Sequence, residues 1–396
     1  MYRTIDVHVD KSSWPGIGKI PSFPAAFTAG SSSFNLNINS MLLIIGYLTT
    51  PTSVTGVSLA EFWAWVRYLA AITPRDQDLR LTRSYADLDA HQKTILSDDF
   101  GMGVPMVWLM KNLPLVDIVD GRYFLQRYGA SHGAYQHRTA KRGPNKTPDF
   151  VVRGHDGKWH IIECKGTQSG EAFRDSQIDS GISQKLSIKF PPGHTGQRLV
   201  SGLSIGIEDG NPSHLKIIDP EPEDPVIITE SEMEFVKDAA TRGVMAKLLR
   251  STGFETAAEA VAAPFGKPQA MPPSTKKTDK KRIEFLADRD RRAREELLES
   301  TSRAHLFGGR YRGREVTFQL PRPIYIYDDM ISKVTVRQGM NVDAIDLLRE
   351  QPTIETLIDP SRNHWIDMMG ANIIQDDEQT ATLQFGSIFR SELILN

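Results

Sequence analysis

The spacing of apolar positions changes along the chain, and each change predicts an element. Residues 41–48 (Met-Leu-Leu-Ile-Ile-Gly-Tyr-Leu) form an unbroken apolar run. It is far short of the ~20 residues that span a bilayer, so it predicts a buried strand or short helix. Ser58-Leu59-Ala60-Glu61 matches a capping box, and Phe62, Trp63, Val66, Leu69 and Ala70 then recur at helical spacing until Pro74. Residues 97–111 predict a second helix, N-capped by Ser97 or Asp98. Pro105 restricts it, since interior proline disrupts a helix. A start near Val104 would put that ring in the first turn. Residues 116–128 read as a strand or hairpin arm, with Asp120-Gly121 as turn residues.

The clearest alternation follows. Phe150, Val151 and Val152 are the residue types strands favour, and Gly154-His155-Asp156-Gly157 is a turn. Residues 158–164 read as the returning strand of an antiparallel hairpin. Residues 171–185 suit a helix broken by Gly181, and residues 198–207 and 215–219 two further strands. Past Pro220 the text turns acidic and proline-rich. Thr229 to Glu232 is another capping box, opening a helix to about Arg250 that Gly253 closes. Residues 264–279 read as a flexible linker, and 280–298 as a charged helix of mixed sign. Strand-like text returns at 314–320, 324–327, 333–338 and 381–385. These shifts divide the chain into an accessory region (1–90), a core (91–225), a helical region with its linker (226–300) and a small C-terminal α+β domain (301–396).

The hairpin carries the chemistry. Glu163 and Lys165 fall on one face of the second strand, with Ile162 and Cys164 on the other. Asp149, after Pro148, starts the partner strand, and pairing would set its carboxylate opposite Glu163. Two carboxylates suit a hard divalent cation such as Mg²⁺ or Mn²⁺, and the Cys164 backbone carbonyl could add a third oxygen. A lysine beside them would orient a water or stabilise charge on a phosphate.

Pro148-Asp149 and Glu163-Cys164-Lys165 resemble the PD-(D/E)xK, or restriction-endonuclease-like, nuclease superfamily over residues 90–220. The resemblance implies an α/β fold: an αβββαβ core whose mixed sheet is flanked by helices, with N- and C-terminal accessory α+β regions. It implies a metal-dependent nuclease acting on DNA, less often RNA, in restriction, phage defence or repair. Asp149 and Glu163 would be metal ligands and Lys165 the catalytic lysine. Asp99 lies where the family's helix acid falls, with helix capping as its other reading. Gln168, Gln177 and Gln184 are candidates for an accessory glutamine. Asp117 and Asp120 are alternative acids.

Between residues 129 and 147 no acid occurs, while His137, Arg138, Lys141, Arg142 and Lys146 do. Such a basic loop beside the acids would contact a phosphate backbone. Lys185, Lys189 and Arg198 would extend that surface. The formal net charge is −2, so the basic surface must be local, and a homo-oligomer or partner subunit would help hold DNA. The single cysteine, Cys164, excludes an intrachain disulfide and cysteine-rich zinc sites, and reads as a buried small apolar group. Its low usage fits a reducing, cytoplasmic setting. No membrane span and no ATP-hydrolysis motif is visible. The competing reading is a catalytically inactive nuclease-fold subunit that binds nucleic acid or assembles with partners.

Overall fold

The computed structural model describes the chain except residues 17, 53–59, 132–146, 185–187, 222–224, 265, 267–275, 327–328, 351–356 and 359–362. A mixed seven-stranded sheet is its centre. The strands are β1 (Tyr2–Val9), β2 (Gly30–Asn37), β3 (Leu115–Asp120), β4 (Phe150–Gly154), β5 (Trp159–Thr167), β6 (Thr195–Ser204) and β7 (His214–Ile218). Their spatial order is β2-β1-β7-β6-β5-β4-β3. The predicted hairpin is β4–β5, with Phe150 opposite Ile162. β5 and β6 run parallel, so the chain must cross over between them, which it does through a helix.

The helices are α1 (Ile38–Thr49), α2 (Ala60–Ala71), α3 (Ala90–Asn112), α4 (Gly121–Ser131), α5 (Glu171–Gln184), α6 (Met233–Ser251), α7 (Glu255–Ala262), α8 (Lys276–Leu298) and α9 (Val342–Glu350), beside shorter turns. From α3 to β6 the order is helix, three strands, helix, strand, with α4 inserted after the first strand. The apolar run at 41–48 lies in α1. Every residue of α1 but the last is buried, because α3 packs on one side and the second sheet on the other. Asn37 caps it, its side chain accepting from the Ser40 N–H at 3.0 Å.

Three expectations fail, the simplest being a break at Gly181, since α5 runs unbroken from Glu171 to Gln184. α3 begins two turns earlier than read: Asp89, not Ser97 or Asp98, caps it, accepting from the His91 and Gln92 N–H groups. It also continues through Pro105. The turn before that ring holds Gly101 and Gly103, which have no side chains to crowd it. Residues 116–128 are not one strand. β3 stops at Asp120 and α4 starts at Gly121, where Tyr123, Phe124, Arg127 and Tyr128 are buried at helical spacing. The capping box at Ser58 falls outside the described residues. The one at Thr229 is present, and its helix ends beside Gly253, which has a φ of +86°.

β1 and β2 continue the same sheet as β3–β7, since β1 pairs in parallel with β7. The C-terminal strands form a separate six-stranded antiparallel sheet. Its long ribbon is Tyr311–Ile326 with Asp329–Asn341, and Asn372–Asp376, Thr380–Phe385 and Phe389–Leu395 complete one side. Its Asp376 side chain accepts from Tyr2 and Ser40 at 2.8 Å and pairs with Lys111 at 3.3 Å. No helix among the described residues is long and apolar enough to cross a membrane.

Candidate active site

The site forms where β4 gives out beside β5. Phe150 is the first residue of β4 and pairs with Ile162, so on that edge β5 has no strand partner at Cys164. Asp149 fills the gap. Its Oδ2 accepts the Cys164 N–H at 2.8 Å, as a strand carbonyl would. The Cys164 carbonyl turns to the same edge, because the N–H and C=O of one strand residue point the same way. The Asp149 N–H in turn donates to Glu163 Oε2 at 3.2 Å. Lys165 Nζ donates to Glu163 Oε1 at 2.8 Å. Asp149, Glu163 and Lys165 therefore stand together as the hairpin geometry predicts.

Glycines bring the surrounding elements close enough. A Cβ on Gly121 would stand 2.1 Å from the Pro148 carbonyl oxygen, so the start of α4 presses on the turn that carries Asp149. A Cβ on Gly166 would stand 1.8 Å from the Ser97 carbonyl oxygen, and one on Gly101 2.6 Å from the Gly166 nitrogen. α3 thus crosses β5 in backbone contact. On α5, a Cβ on Gly181 would stand 3.5 Å from Val200 Cγ1, 3.6 Å from Lys165 Cε and 3.8 Å from Glu163 Cγ, ordinary van der Waals contact.

The charges are unbalanced. Burial pushes the Asp149 carboxyl up to about 7, the Glu163 charge adds to the rise, and Lys165 opposes it. Burial works against the Lys165 ammonium, but Glu163 and Asp149 more than offset it and hold the proton more firmly than usual. Partial burial also raises Asp98 above its ordinary value, and the Lys165 charge pulls it back. Asp98, Asp149 and Glu163 thus share one lysine, an excess of two negative charges when all are ionised. A divalent cation has the charge to relieve that excess, and the oxygen-only donor set suits a hard ion. Among the described residues, no group of three or more His, Cys, Asp or Glu side chains is already gathered as a cation cage.

The two adjacent acids of α3 differ in their surroundings. Asp99 turns away and accepts from the Tyr68 hydroxyl. Asp98, read only as a cap, is the α3 carboxylate that feels Lys165. Which of two adjacent acids faces the site depends on the phase of α3, fixed by the Gly101–Gly166 contact that the local sequence does not announce. The alternative acids are structural. Asp117 is buried and pairs with Arg153 at 2.6 Å, its cross-strand neighbour. Asp120 pairs at 2.6 Å with Lys247, whose side chain is fully buried.

The other candidates scatter. Gln168 Nε2 donates to Ser97 Oγ at 3.2 Å and ties the β5–α5 loop to α3. Gln177 is half-buried, and its Oε1 is buried without a hydrogen-bond partner. The side chain of Gln184, the last residue of α5, and all of His137, Arg138, Lys141, Arg142, Lys146 and Lys185 lie outside the described residues. Arg198 is no surface cation: it is buried, and its N–H donates to Asp219 Oδ2 at 2.8 Å. Lys189 is exposed on a two-residue strand. Cys164 is buried, its Sγ 3.5 Å from Ser201 Oγ, and burial pushes the thiol far up, so it does not serve as a nucleophile. No protein-family model matches this chain, and neither a curated protein nor a solved structure matches it.

Proposed function

We propose that the chain is a metal-dependent nuclease that hydrolyses phosphodiester bonds of DNA. The observation that carries the reading is the convergence of Asp149, Glu163 and Lys165 where β4 begins. Two further features support it. The order helix, three strands, helix, strand, with β6 parallel to β5, is the order expected of a restriction-endonuclease-like core. An acid from α3, Asp98, adds to the excess negative charge.

Asp149, Glu163 and the Cys164 carbonyl would hold Mg²⁺ or Mn²⁺, with Asp98 at the margin. When bound, the cation supplies Lewis-acid polarisation of a phosphoryl oxygen and makes water a usable nucleophile. The protein residues do the rest. Asp149 and Glu163 fix each other through the Asp149 N–H. Lys165, released from Glu163, carries a positive charge to the phosphate, where it stabilises the charge that builds on the equatorial oxygens. α5 closes one side through Gly181, which leaves room for the lysine stem to swing.

Cleavage of plasmid and linear DNA with and without Mg²⁺, comparing wild type with Asp149→Ala and Lys165→Ala, tests the reading. Metal-dependent cutting lost in both variants supports it. The second reading is a non-catalytic nucleic-acid-binding subunit. The 2.8 Å Glu163–Lys165 pair favours it, because that pair already occupies one ligand oxygen. Salt-sensitive DNA binding by wild type with no cutting would establish it.

A further inference from the structure

α5 has two distinguishable flanks. Its centre packs on β6: a Cβ on Gly202 would meet the Arg174 and Ile178 side chains, both buried. One flank turns to β7, where Asp175 pairs with Lys216 at 3.3 Å and Glu171 stands 4.0 Å from His214. The sheet order is β7-β6-β5, so the opposite flank overhangs β5 and its acids. Gly181, beside Lys165 and Glu163, begins that flank. Gln177 and Phe173 follow at four-residue steps, each displaced by roughly 40° around the helix. Phe173 is 51% exposed, and it is the large apolar group on this flank.

We propose that Phe173 is a stacking platform for an unpaired nucleobase, so that the site takes single-stranded or frayed nucleic acid in preference to an intact duplex. The inference rests on the nuclease reading above and names its substrate class. Phe173 lies about 12 Å along the helix from Gly181, two helical turns from the reacting centre. A phenyl ring gains by covering the face of a base, and inside a duplex both faces of each base are already covered by its neighbours. Charge points the same way. The acids of the site, three to one lysine, repel a polyanion, and the chain as a whole is not basic. Base–aromatic stacking contributes affinity that does not depend on charge.

The test uses one oligonucleotide, single-stranded or annealed as a blunt duplex, carrying 2-aminopurine. Cleavage by the wild-type chain in Mg²⁺ is read first. If wild type neither binds nor cuts either form, the nuclease reading itself falls, and this inference with it. Binding is then compared in Asp149→Asn with and without Phe173→Ala. The expected result is a rise of about 5- to 100-fold in Kd for the single strand, loss of 2-aminopurine quenching, and little change for the duplex. Phe173→Trp restores both readouts. Equal weakening of both forms, or no change in either, overturns the proposal. Circular dichroism of each variant separates a folding defect from a lost contact.

Discussion

Gly121, the first residue of α4, lies against the carbonyl of Pro148, where a Cβ would stand 2.1 Å from the oxygen. Its N–H donates to the Asp149 carbonyl at 2.9 Å. The turn holding the first site acid is therefore seated on a helix start, not only on its own strand. Gly121→Ala is expected to cost about 1–3 kcal/mol in a denaturant titration, the usual penalty of forced overpacking. Any cleavage activity should fall by more than the folded fraction does, because Asp149 must move.

Asp98 and Asp99 should part company. Asp98→Ala is expected to lower metal-dependent cleavage about 10- to 100-fold with little effect on stability. Asp99→Ala should leave cleavage per folded molecule near wild type. It should still destabilise by about 1–3 kcal/mol, since the Tyr68 hydroxyl loses its acceptor. Steady-state rates and chemical denaturation of both variants check this, and the opposite pattern would restore Asp99 to the site.

Stability should fall as pH rises toward neutrality. In the folded chain the Asp149 carboxyl titrates at about 7, above its ordinary 3.8, so the native state holds that proton more tightly than the unfolded chain. The stabilisation is complete below the ordinary value and is lost as pH climbs through about 7. Thermal melts between pH 4 and 8 should show the decline, and Asp149→Asn should flatten it. If the cation binds there, Mg²⁺ should raise Tm more at pH 8 than at pH 5, because protons compete for the same oxygens.

Asp120 is predicted to matter for folding rather than chemistry. Its pairing at 2.6 Å offsets the burial of the Lys247 ammonium, which otherwise meets backbone carbonyls, such as Leu48 at 2.9 Å. Asp120→Ala leaves that charge short of its counter-ion and should cost about 3–5 kcal/mol. Lys247→Met with Asp120→Ala should recover most of the loss, measured as a double-mutant cycle.

The β4–β5 hairpin was readable because its signals are local: β-branched residues, a glycine-flanked turn and strict alternation. Asp149, Glu163 and Lys165 could be placed together for the same reason. α4 was not, because the β-branched text of β3 runs directly into Tyr123, Phe124 and Leu125. Asp120-Gly121 has the composition of a turn whether a strand or a helix follows. The start of α3 was missed because Asp89 looks like any loop acid until the helix beyond it is known. The roles of Asp117 and Asp120 rest on Arg153 and Lys247, and the Lys247 pairing is too distant in sequence for a pattern to reveal. Sheet order was hidden for the same reason: nothing in residues 2–9 names 214–218 as their neighbour.

That last pairing bears on how the chain matures. During synthesis Ile5, Val7 and Val9 emerge about two hundred residues ahead of the strand that flanks them. Until His214–Ile218 leaves the ribosome, β1 zips to β2, and its other edge is met only at Thr4, by residues 77–79. Polypeptides released before that point would present a sticky apolar ribbon and be prone to clumping. Premature stop codons between residues 166 and 214 should therefore give insoluble, chaperone-bound fragments, even though the residues of the acid cluster have already been translated.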